Sequence, residues 1–205
     1  MLIDKIKVIV FDLGNVLIYF DYSRINKALN KIDNGLGDRF IKIYYENYQV
    51  HKQYEKWELN NDEFLKIMLE WCENKIDAET FKHIYADLFT ENFKTIALLS
   101  KLKENYQLVL LSNTNFIHQK YGWEKYSFLK YFDKLILSHE VGAIKPEEKI
   151  YKAVENFTNQ LPECHLFIDD IAEYVYGARS CGWKGIQFVT NEKLLSDLKS
   201  HNILT

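Results

Sequence analysis

The chain has 205 residues, of which 47% are hydrophobic and 27% charged, so it is long enough to bury one sizeable core. Its formal net charge is −3, which predicts neither a nucleic acid nor a membrane surface as a partner. Its two prolines and eight glycines argue against long linkers and disorder.

The N-terminal stretch MLIDKIKVIVFDL bears on where the protein resides. Asp4, Lys5 and Lys7 interrupt its apolar residues, so it lacks the continuous apolar region of a signal peptide. No segment reaches the roughly 18 apolar residues that a membrane span requires. Three cysteines without a CxxC pair predict free thiols in a reducing compartment: Cys72, Cys164 and Cys181. We therefore expect a cytoplasmic protein.

The first predicted strand covers residues 6–11, an apolar run that ends directly before Asp12. The chain then turns through Gly14, in the stretch VIVFDLGNVL. Many enzymes that transfer phosphate carry a second acid two positions after such an aspartate. This chain has glycine there, so the role of an isolated Asp12 is the first question that the sequence raises.

A helical insert is predicted between the first and second strands, because residues 16–92 are too many for one crossover helix. Residues 36–50 are expected to be helical. Three more helices are predicted, each by a capping residue followed by apolar residues at helical spacing: Ser23 with Ile25, Ala28, Leu29 and Ile32; Asn61 with Phe64, Leu65, Met68 and Cys72; and Asp77 with Phe81, Ile84, Tyr85 and Leu88.

Strands and helices alternate in the rest of the chain. Strands are predicted at residues 108–111, 134–137, 165–168 and 185–189, and helices at 93–105, 146–157 and 172–181. Pro146 suits the first position of its helix, where Ile150, Val154 and Phe157 would share a face, and Gly182 suits a helix stop. The strands lack polar alternation, as expected where both faces of a sheet are covered.

These elements predict an α/β fold. It comprises a Rossmann-like, parallel five-stranded sheet with helices on both faces, and an all-helical cap inserted after the first strand. The predicted core domain consists of residues 1–16 and 92–205, and the predicted cap domain of residues 17–91.

Polar residues follow four of the predicted strands. In an open parallel sheet, ligands bind beyond the carboxyl ends of the strands, so these residues are expected to meet at one edge. Taken singly, each has an ordinary explanation as a turn residue, a helix cap or a solvated lysine. Together they form a set of acids, a hydroxyl, an amide and a cation: Asp12, Ser112, Asn113, Lys145, Asp169 and Asp170.

The acids in this set predict a cation site. Like charges at a strand end repel one another unless a cation is present, and here three carboxylates accompany one lysine. Oxygen ligands without a nearby histidine or cysteine favour Mg²⁺ over zinc or copper. Mg²⁺ combines a few carboxylates with water and a substrate phosphate, and Lys145 would supply positive charge to phosphoryl oxygens.

The stretches FDLGNVL, LLSNT, KP and FIDD, in this order and at these separations, resemble the four motifs of the haloacid dehalogenase-like hydrolase superfamily. The helical insert resembles the small helical cap of that superfamily, and the resemblance covers essentially the whole chain. FDLGNV, LSNTN and YEKWELNNDEF are similar to one helical-cap branch. It includes bacterial sugar-phosphate phosphatases similar to α-glucose-1-phosphate phosphatase, and the N-terminal phosphatase domain of soluble epoxide hydrolase.

The resemblance implies a Mg²⁺-dependent phosphatase that acts on a small sugar phosphate or a related metabolite phosphate through an aspartyl-phosphate intermediate. Asp12 would be the nucleophile and a metal ligand, and Lys145 would bridge Asp12 and the phosphate. Ser112 and the Asn113 amide would hold phosphoryl oxygens. The carbonyl of Gly14 and the carboxylates of Asp169 and Asp170 would complete the metal site, with the division of work between the two acids left open.

The resemblance also shows what the chain lacks. In most of the superfamily, the residue at the Gly14 position has an acidic side chain that protonates the leaving group and later deprotonates water. Such general acid–base help is typically worth ~10²–10⁴ in rate. Asp21, His51 and Glu55 in the insert are candidates to replace it. Tyr174 stands where relatives often have an asparagine that helps to order the second acid of FIDD.

Two alternatives stay open at this point. One is a 2-haloacid dehalogenase that uses Asp12 without a metal, although the Asp169–Asp170 pair argues against it. The other is a catalytically impaired protein that binds a phosphate ester or a partner. Candidate specificity residues lie near residues 19–22 and 45–54, and His118 and Trp123 are further candidates. The oligomeric state cannot be read from the sequence.

Overall fold

The structure is a computed structural model, and it describes residues 6–204. Within these residues the strands are β1 (Val8–Phe11), β2 (Ile18–Phe20), β3 (Phe89–Glu91), β4 (Gln107–Ser112), β5 (Lys134–Leu137), β6 (His165–Asp169) and β7 (Lys184–Gln187). The α-helices are α1 (Ser23–Ile32), α2 (Leu36–Glu46), α3 (Tyr48–Glu55), α4 (Asn61–Trp71), α5 (Ala78–Ala86), α6 (Phe93–Lys103), α7 (Ser138–Val141), α8 (Glu148–Thr158), α9 (Ala172–Ser180) and α10 (Asn191–Ser200). A π-helical turn covers His118–Trp123.

The main sheet has five strands in the order β5-β4-β1-β6-β7, and every neighbouring pair is parallel. The central strand β1 aligns Val8 with Gln107 of β4 and with His165 of β6. The carboxyl ends of these three strands therefore lie at the same edge of the sheet. The predicted α/β fold with its parallel five-stranded sheet is confirmed.

Helices cover both faces of this sheet, because alternate residues of each buried strand point to opposite sides. Ile9 and Phe11 belong to one cluster of buried residues, which includes Leu99 of α6 and Leu198 of α10. Val8 and Val10 belong to the other cluster, which includes Ile150 of α8 and Ala178 of α9. Burial on both faces explains why the strands lack polar alternation.

The helical insert has a buried core of its own, which α1–α5 supply. It is rich in aromatic rings, and Tyr54 and Phe64 stack with their centroids 3.9 Å apart. The insert is connected to the main sheet by a two-stranded antiparallel ribbon of β2 and β3, in which Ile18 pairs with Glu91. The sequence prediction missed this ribbon, because each strand has only three residues. We retain the division into residues 1–16 plus 92–205 and 17–91 as a proposal.

Two predicted helix caps are wrong by one residue. Helix α1 is preceded by Tyr22, and Ser23 is its first residue, whose N–H donates to Asp21 Oδ1. Helix α4 is capped by Asn60 rather than Asn61, because the side chain of Asn60 forms a capping box with Glu63. The prediction that Asp77 caps α5 is confirmed.

Other boundaries also differ from the prediction. Residues 36–50 do not form one helix, since Asn47 separates α2 from α3. Helix α8 begins at Glu148, so Pro146 precedes it and is not its first residue. Ile32 and Phe157, which were expected on buried helix faces, are 43% and 40% exposed. The cysteines are free thiols, as expected. Among the described residues, no helix is long and apolar enough to cross a membrane.

Candidate active site

A cavity of about 440 Å³ lies between the carboxyl edge of the main sheet and the helical insert. The sheet contributes residues that directly follow β1, β4 and β6, because the parallel register brings these strand ends together. Residues predicted for the site line this cavity: Asp12, Gly14, Ser112, Asn113, Lys145 and Asp170. Asp169 lies behind the lining, fully buried at the end of β6.

Lys145 connects two of the acids. Its Nζ lies 2.6 Å from Asp12 Oδ1 and 2.6 Å from Asp169 Oδ2, and it also donates to the carbonyl oxygen of Leu111. The residue is only 2% exposed. Burial by itself would lower the pKa of Lys145, but the two carboxylates outweigh burial and raise it. The ammonium group therefore stays charged.

The acids outnumber this ammonium group. Oxygens of Asp12, Asp169 and Asp170 lie within 4.8 Å of one another. Burial raises the pKa of Asp12, and the neighbouring Asp169 adds to the rise, while Lys145 opposes it. Three carboxylates beside one lysine leave an excess of negative charge, which a divalent cation would balance. Because all the donors are oxygens, the set fits Mg²⁺.

Asp169 and Asp170 have different surroundings. Both oxygens of Asp169 have partners, since Oδ2 faces Lys145 and Oδ1 accepts from the N–H of Ile171. Asp170 is half-buried and lines the cavity, and its Oδ2 accepts from Asn15 Nδ2 at 2.9 Å. Asp170 therefore has the carboxylate that can face an ion in the cavity, while Asp169 holds Lys145.

Asn15 is a residue that the sequence analysis missed. It orients Asp170, and its φ of +55° lies in the left-handed region that asparagine tolerates better than most residues. The signal was present in the pair Gly14–Asn15, which is typical of a turn that needs such backbone conformations. Asn15 thus supplies a carboxylate-orienting amide, which the sequence analysis found missing at position 174, where this chain has tyrosine.

Tyr174 contacts the other side of the site. Its hydroxyl accepts from Asn113 Nδ2 at 3.4 Å, and its ring lies 5.0 Å from Lys145 Nζ. Asn113 Oδ1 accepts from the backbone N–H of Lys145 at 2.8 Å, so this side chain positions Lys145. Only the backbone N–H of Asn113 is then available for phosphate. Ser112 is buried and ends β4.

Gly14 differs from the acid-bearing pattern for a steric reason as well as a chemical one. A Cβ atom built on Gly14 would lie 2.8 Å from the ring of Phe20 in β2. The ring therefore occupies the space that a side chain at position 14 would enter. The ribbon that carries Phe20 was not predicted, so this obstruction could not be foreseen from the sequence.

The insert contributes a second group of polar residues to the cavity. Tyr22, Tyr48, His51 and Glu55 line it, and His51 Nε2 lies 3.2 Å from Glu55 Oε1. Of the candidates for the missing acid, Asp21 is placed elsewhere. It is exposed, and its carboxylate accepts from the first turn of the helix that follows it.

His118 and Trp123 line the cavity from the π-helical turn after β4. His118 Nε2 and Trp123 Nε1 are buried, and neither has a hydrogen-bond partner among the described residues. Asn115 Nδ2 approaches His118 Nδ1 at 3.1 Å, so the hydrogen of the neutral imidazole is on Nε2. Burial lowers the pKa of His118 well below its usual value. The N–H groups of His118 and Trp123 are therefore buried beside the cavity without an acceptor among the described residues.

Comparisons with known proteins show what this chain is similar to. The family described as haloacid dehalogenase-like hydrolase matches residues 6–182. D-ribitol-5-phosphate phosphatase of Bacteroides thetaiotaomicron is 28% identical over 190 residues, which is 89% of this chain and 91% of that protein. Glyceraldehyde 3-phosphate phosphatase of Pyrococcus furiosus is 28% identical over 199 residues, covering 90% of this chain and 81% of that protein.

A solved structure is similar over nearly the same extent. It is a haloacid dehalogenase-like family enzyme of Bacteroides thetaiotaomicron in complex with magnesium and inorganic phosphate. Its sequence is 30% identical, its TM-score is 0.76, and the match covers 89% of this chain and 93% of that one.

Proposed function

Since this chain belongs to the haloacid dehalogenase-like hydrolase family and is a phosphomonoester hydrolase, we propose that Asp12 is its nucleophile and Mg²⁺ its cofactor. We propose a phosphate ester of a small polyol or sugar as its substrate. The observation that carries the proposal is the placement of Lys145 between Asp12 and Asp169 at the cavity, where three carboxylates converge. The names of two relatives, which are phosphatases of a polyol phosphate and a triose phosphate, favour this substrate class.

The proposed roles follow from the contacts of each group. Asp12 attacks phosphorus in line and displaces the alcohol, which leaves an aspartyl phosphate that water then hydrolyses. Lys145 is held beside Asp12 and neutralises charge on the phosphoryl oxygens. Ser112 and the backbone N–H of Asn113 bind those oxygens.

The residues proposed to hold Mg²⁺ are Asp12, Asp170 and the carbonyl of Gly14, with Asp169 acting through Lys145. When bound, Mg²⁺ would supply positive charge that lets a carboxylate approach a phosphate dianion. Asp170 is assigned a direct contact because it lines the cavity, whereas both oxygens of Asp169 already have partners. Asn15 would keep Asp170 in position.

The other two readings of the sequence have less support. A dehalogenase that works without a metal has no use for three clustered carboxylates. A protein that only binds phosphate esters has no use for a carboxylate that faces the phosphate. Both named relatives are phosphatases, which agrees with neither alternative.

The test is phosphate release from a panel containing ribitol 5-phosphate, glyceraldehyde 3-phosphate, glucose 1-phosphate and 4-nitrophenyl phosphate. We expect turnover with Mg²⁺, loss of turnover with EDTA, and recovery when Mg²⁺ is added back. Asp12→Asn should lower kcat by at least ~10³-fold, because it removes the nucleophile. Asp21→Asn is the matched control, since Asp21 also directly follows a strand, β2, but is exposed. Equal activity of Asp12→Asn and wild type would refute the proposal.

A further inference from the structure

The proposed reaction lacks a proton donor at the place where one is expected. An alkyl phosphate loses a poor leaving group, whose oxygen needs a proton as the P–O bond breaks. Gly14 has no side chain to supply it, and the ring of Phe20 blocks the space beside Gly14. A proton donor must therefore approach from another wall of the cavity.

Glu55 is the carboxyl group that the insert presents to the cavity. It is the last residue of α3, it is 9% exposed, and it lines the same cavity as Asp12. Its one salt-bridge partner within residues 6–204 is His51, whose Nε2 lies 3.2 Å from Glu55 Oε1. A buried carboxyl group is costly unless it is paired, so this position needs an explanation.

His51 is fixed on its other side. The hydroxyls of Tyr44 and Tyr85 lie 2.7 and 2.8 Å from His51 Nδ1. Burial raises the pKa of both tyrosines well above the usual value, so both hydroxyls keep their hydrogens. When Tyr44 donates to Nδ1, the hydrogen of a neutral imidazole is on Nε2, facing Glu55.

Tyr174 lies in the cavity that Glu55 and His51 share with the residues at the carboxyl edge of the sheet. It lines the cavity, and its hydroxyl and ring contact Asn113 and Lys145. Burial raises the pKa of Tyr174; Lys145 opposes the rise, and the carboxylates of Glu55 and Asp12 contribute to it. Glu55, Tyr174 and Asp12 therefore share one cavity, with Glu55 on its insert wall and Asp12 at the carboxyl edge of the sheet.

We propose that Glu55 is the general acid and base of this phosphatase, supplied by the insert in place of the acid missing at position 14, and that His51 is its positioning residue. This inference rests on the proposed function. In the first step Asp12 forms a bond to phosphorus, the bond to the alcohol oxygen breaks, and Glu55 gives its proton to that oxygen. In the second step Glu55 takes a proton from water as the resulting hydroxide bonds to phosphorus and the bond to Asp12 breaks. Glu55 is then protonated again, and hydrogen phosphate leaves.

If Glu55 donates the proton, the effect of removing it depends on the leaving group of the substrate. Esters of aliphatic alcohols, such as polyol phosphates, need the proton and should depend on Glu55. Esters of acidic phenols leave without it and should not. Leaving-group chemistry, rather than overall activity, is therefore the property that identifies a proton donor.

The experiment compares kcat/KM of Glu55→Gln and wild type on two substrates, ribitol 5-phosphate and 4-nitrophenyl phosphate. We expect a loss of ~10²–10⁴ on the first and less than about threefold on the second. Glu58→Gln is the matched control, because Glu58 lies on the same part of the insert in an ion pair with Lys56. It should stay within about threefold of wild type on both substrates. An equal loss of Glu55→Gln on both substrates would mean a structural role and would overturn the proposal.

Two more variants keep the test decisive. His51→Gln retains an N–H donor near Glu55. Its kcat/KM should fall less than that of Glu55→Gln, and again the fall should be larger on ribitol 5-phosphate than on 4-nitrophenyl phosphate. This variant tests the proposal even if Glu55→Gln fails to fold. Glu173 is the other carboxyl group of the lining outside the metal set. A selective loss in Glu173→Gln, with none in Glu55→Gln, would transfer the role and refute our assignment. If wild type fails to hydrolyse 4-nitrophenyl phosphate in an Asp12-dependent way, the proposed function itself fails.

Discussion

Two polar clusters, one at the sheet edge and one in the insert, contribute residues to the same cavity, and they are built in different ways. The edge cluster consists of Asp12, Lys145, Asp169 and Asp170, and it stands on the ends of parallel strands and the loops that follow them. The insert cluster consists of Tyr44, His51, Glu55 and Tyr85, and it stands on three packed helices. The first is dominated by full charges, whereas the second is a chain of hydroxyl, imidazole and carboxyl groups.

The difference shows how each cluster obtains its geometry. Residues 133 positions apart, Asp12 and Lys145, meet because neighbouring strands share a register and end together. The insert cluster depends on side-chain packing, since α2, α3 and α5 must each present a residue at the right height. We therefore expect the edge cluster to respond to changes of charge and the insert cluster to changes of packing.

The largest expected effect is that of Lys145→Met. It removes the one ammonium group between Asp12 and Asp169 and leaves both carboxylates buried without it. Breaking such a pair typically costs ~3–5 kcal/mol, so the free energy of unfolding in EDTA should fall by about that amount. Activity should be lost as well. Urea denaturation and phosphate release measure the two effects.

Asp12→Asn is the control for charge, since it removes an acid from a cluster that has too many. In EDTA it should destabilise the protein by clearly less than Lys145→Met. If both variants lose the same stability, the edge cluster is held by packing, and the contrast between the two regions disappears.

The next effect belongs to the core of the insert. Phe64 is fully buried and stacks on Tyr54 with the ring planes 9° apart. Phe64→Ala should cost ~3–5 kcal/mol, because it leaves a cavity in a packed core. Phe64→Leu keeps most of the volume and should cost clearly less. Chemical denaturation of the pair measures the difference, and an equal cost would mean that ring stacking, not volume, dominates.

The sequence predicted the edge cluster far better than the insert cluster, and the reason is physical. Apolar runs followed by polar residues locate strand ends, and parallel topology then determines which residues meet. This logic selected Asp12, Ser112, Lys145 and Asp170, which line one cavity. No comparable rule relates residues on different helices, so His51 and Glu55 were only two candidates among three.

What the sequence missed depends on short elements. The three-residue strand β2 carries Phe20 against Gly14, and Asn15 turns back to Asp170. Segments this short have no periodicity to detect. The predicted start of α4 was wrong by one residue because Asn60 and Asn61 are adjacent and either could cap the helix. The backbone conformation determines which of them does so.

His118 is expected to make the stability of the protein depend on pH. It lines the cavity and stacks on Tyr85 of the insert cluster, with the ring centroids 4.3 Å apart. Burial, followed by the neighbouring His51, lowers the pKa of His118 well below the ordinary 6.5. Protons therefore bind the unfolded chain more readily. The contribution of His118 to stability is complete above pH ~6.5 and is lost as the pH falls below it, by up to about 1.4 kcal/mol per pH unit.

The variant His118→Asn should reduce this slope, since its side-chain oxygen can still accept from Asn115. Burial also lowers the pKa of His139 and His165, so the slope should not vanish. Urea denaturation between pH 5 and 7.5 in EDTA, with wild type beside the variant, isolates the share of His118. Identical slopes would show that His118 is not buried as a neutral imidazole.

The smallest effect concerns the start of α4 in the insert. Asn60 accepts from the N–H groups of Asp62 and Glu63, and Glu63 accepts from the N–H of Asn60. Asn60→Ala should cost about 1 kcal/mol, whereas Asn60→Gly should cost only a few tenths. The cost is small because these hydrogen bonds are exposed, and water can take the place of the lost side chain. Water cannot do so for the buried polar groups of the two clusters. If Asn60→Ala cost as much as Phe64→Ala, the stability of the insert would rest on how its helices begin, and packing could not be what positions His51 and Glu55.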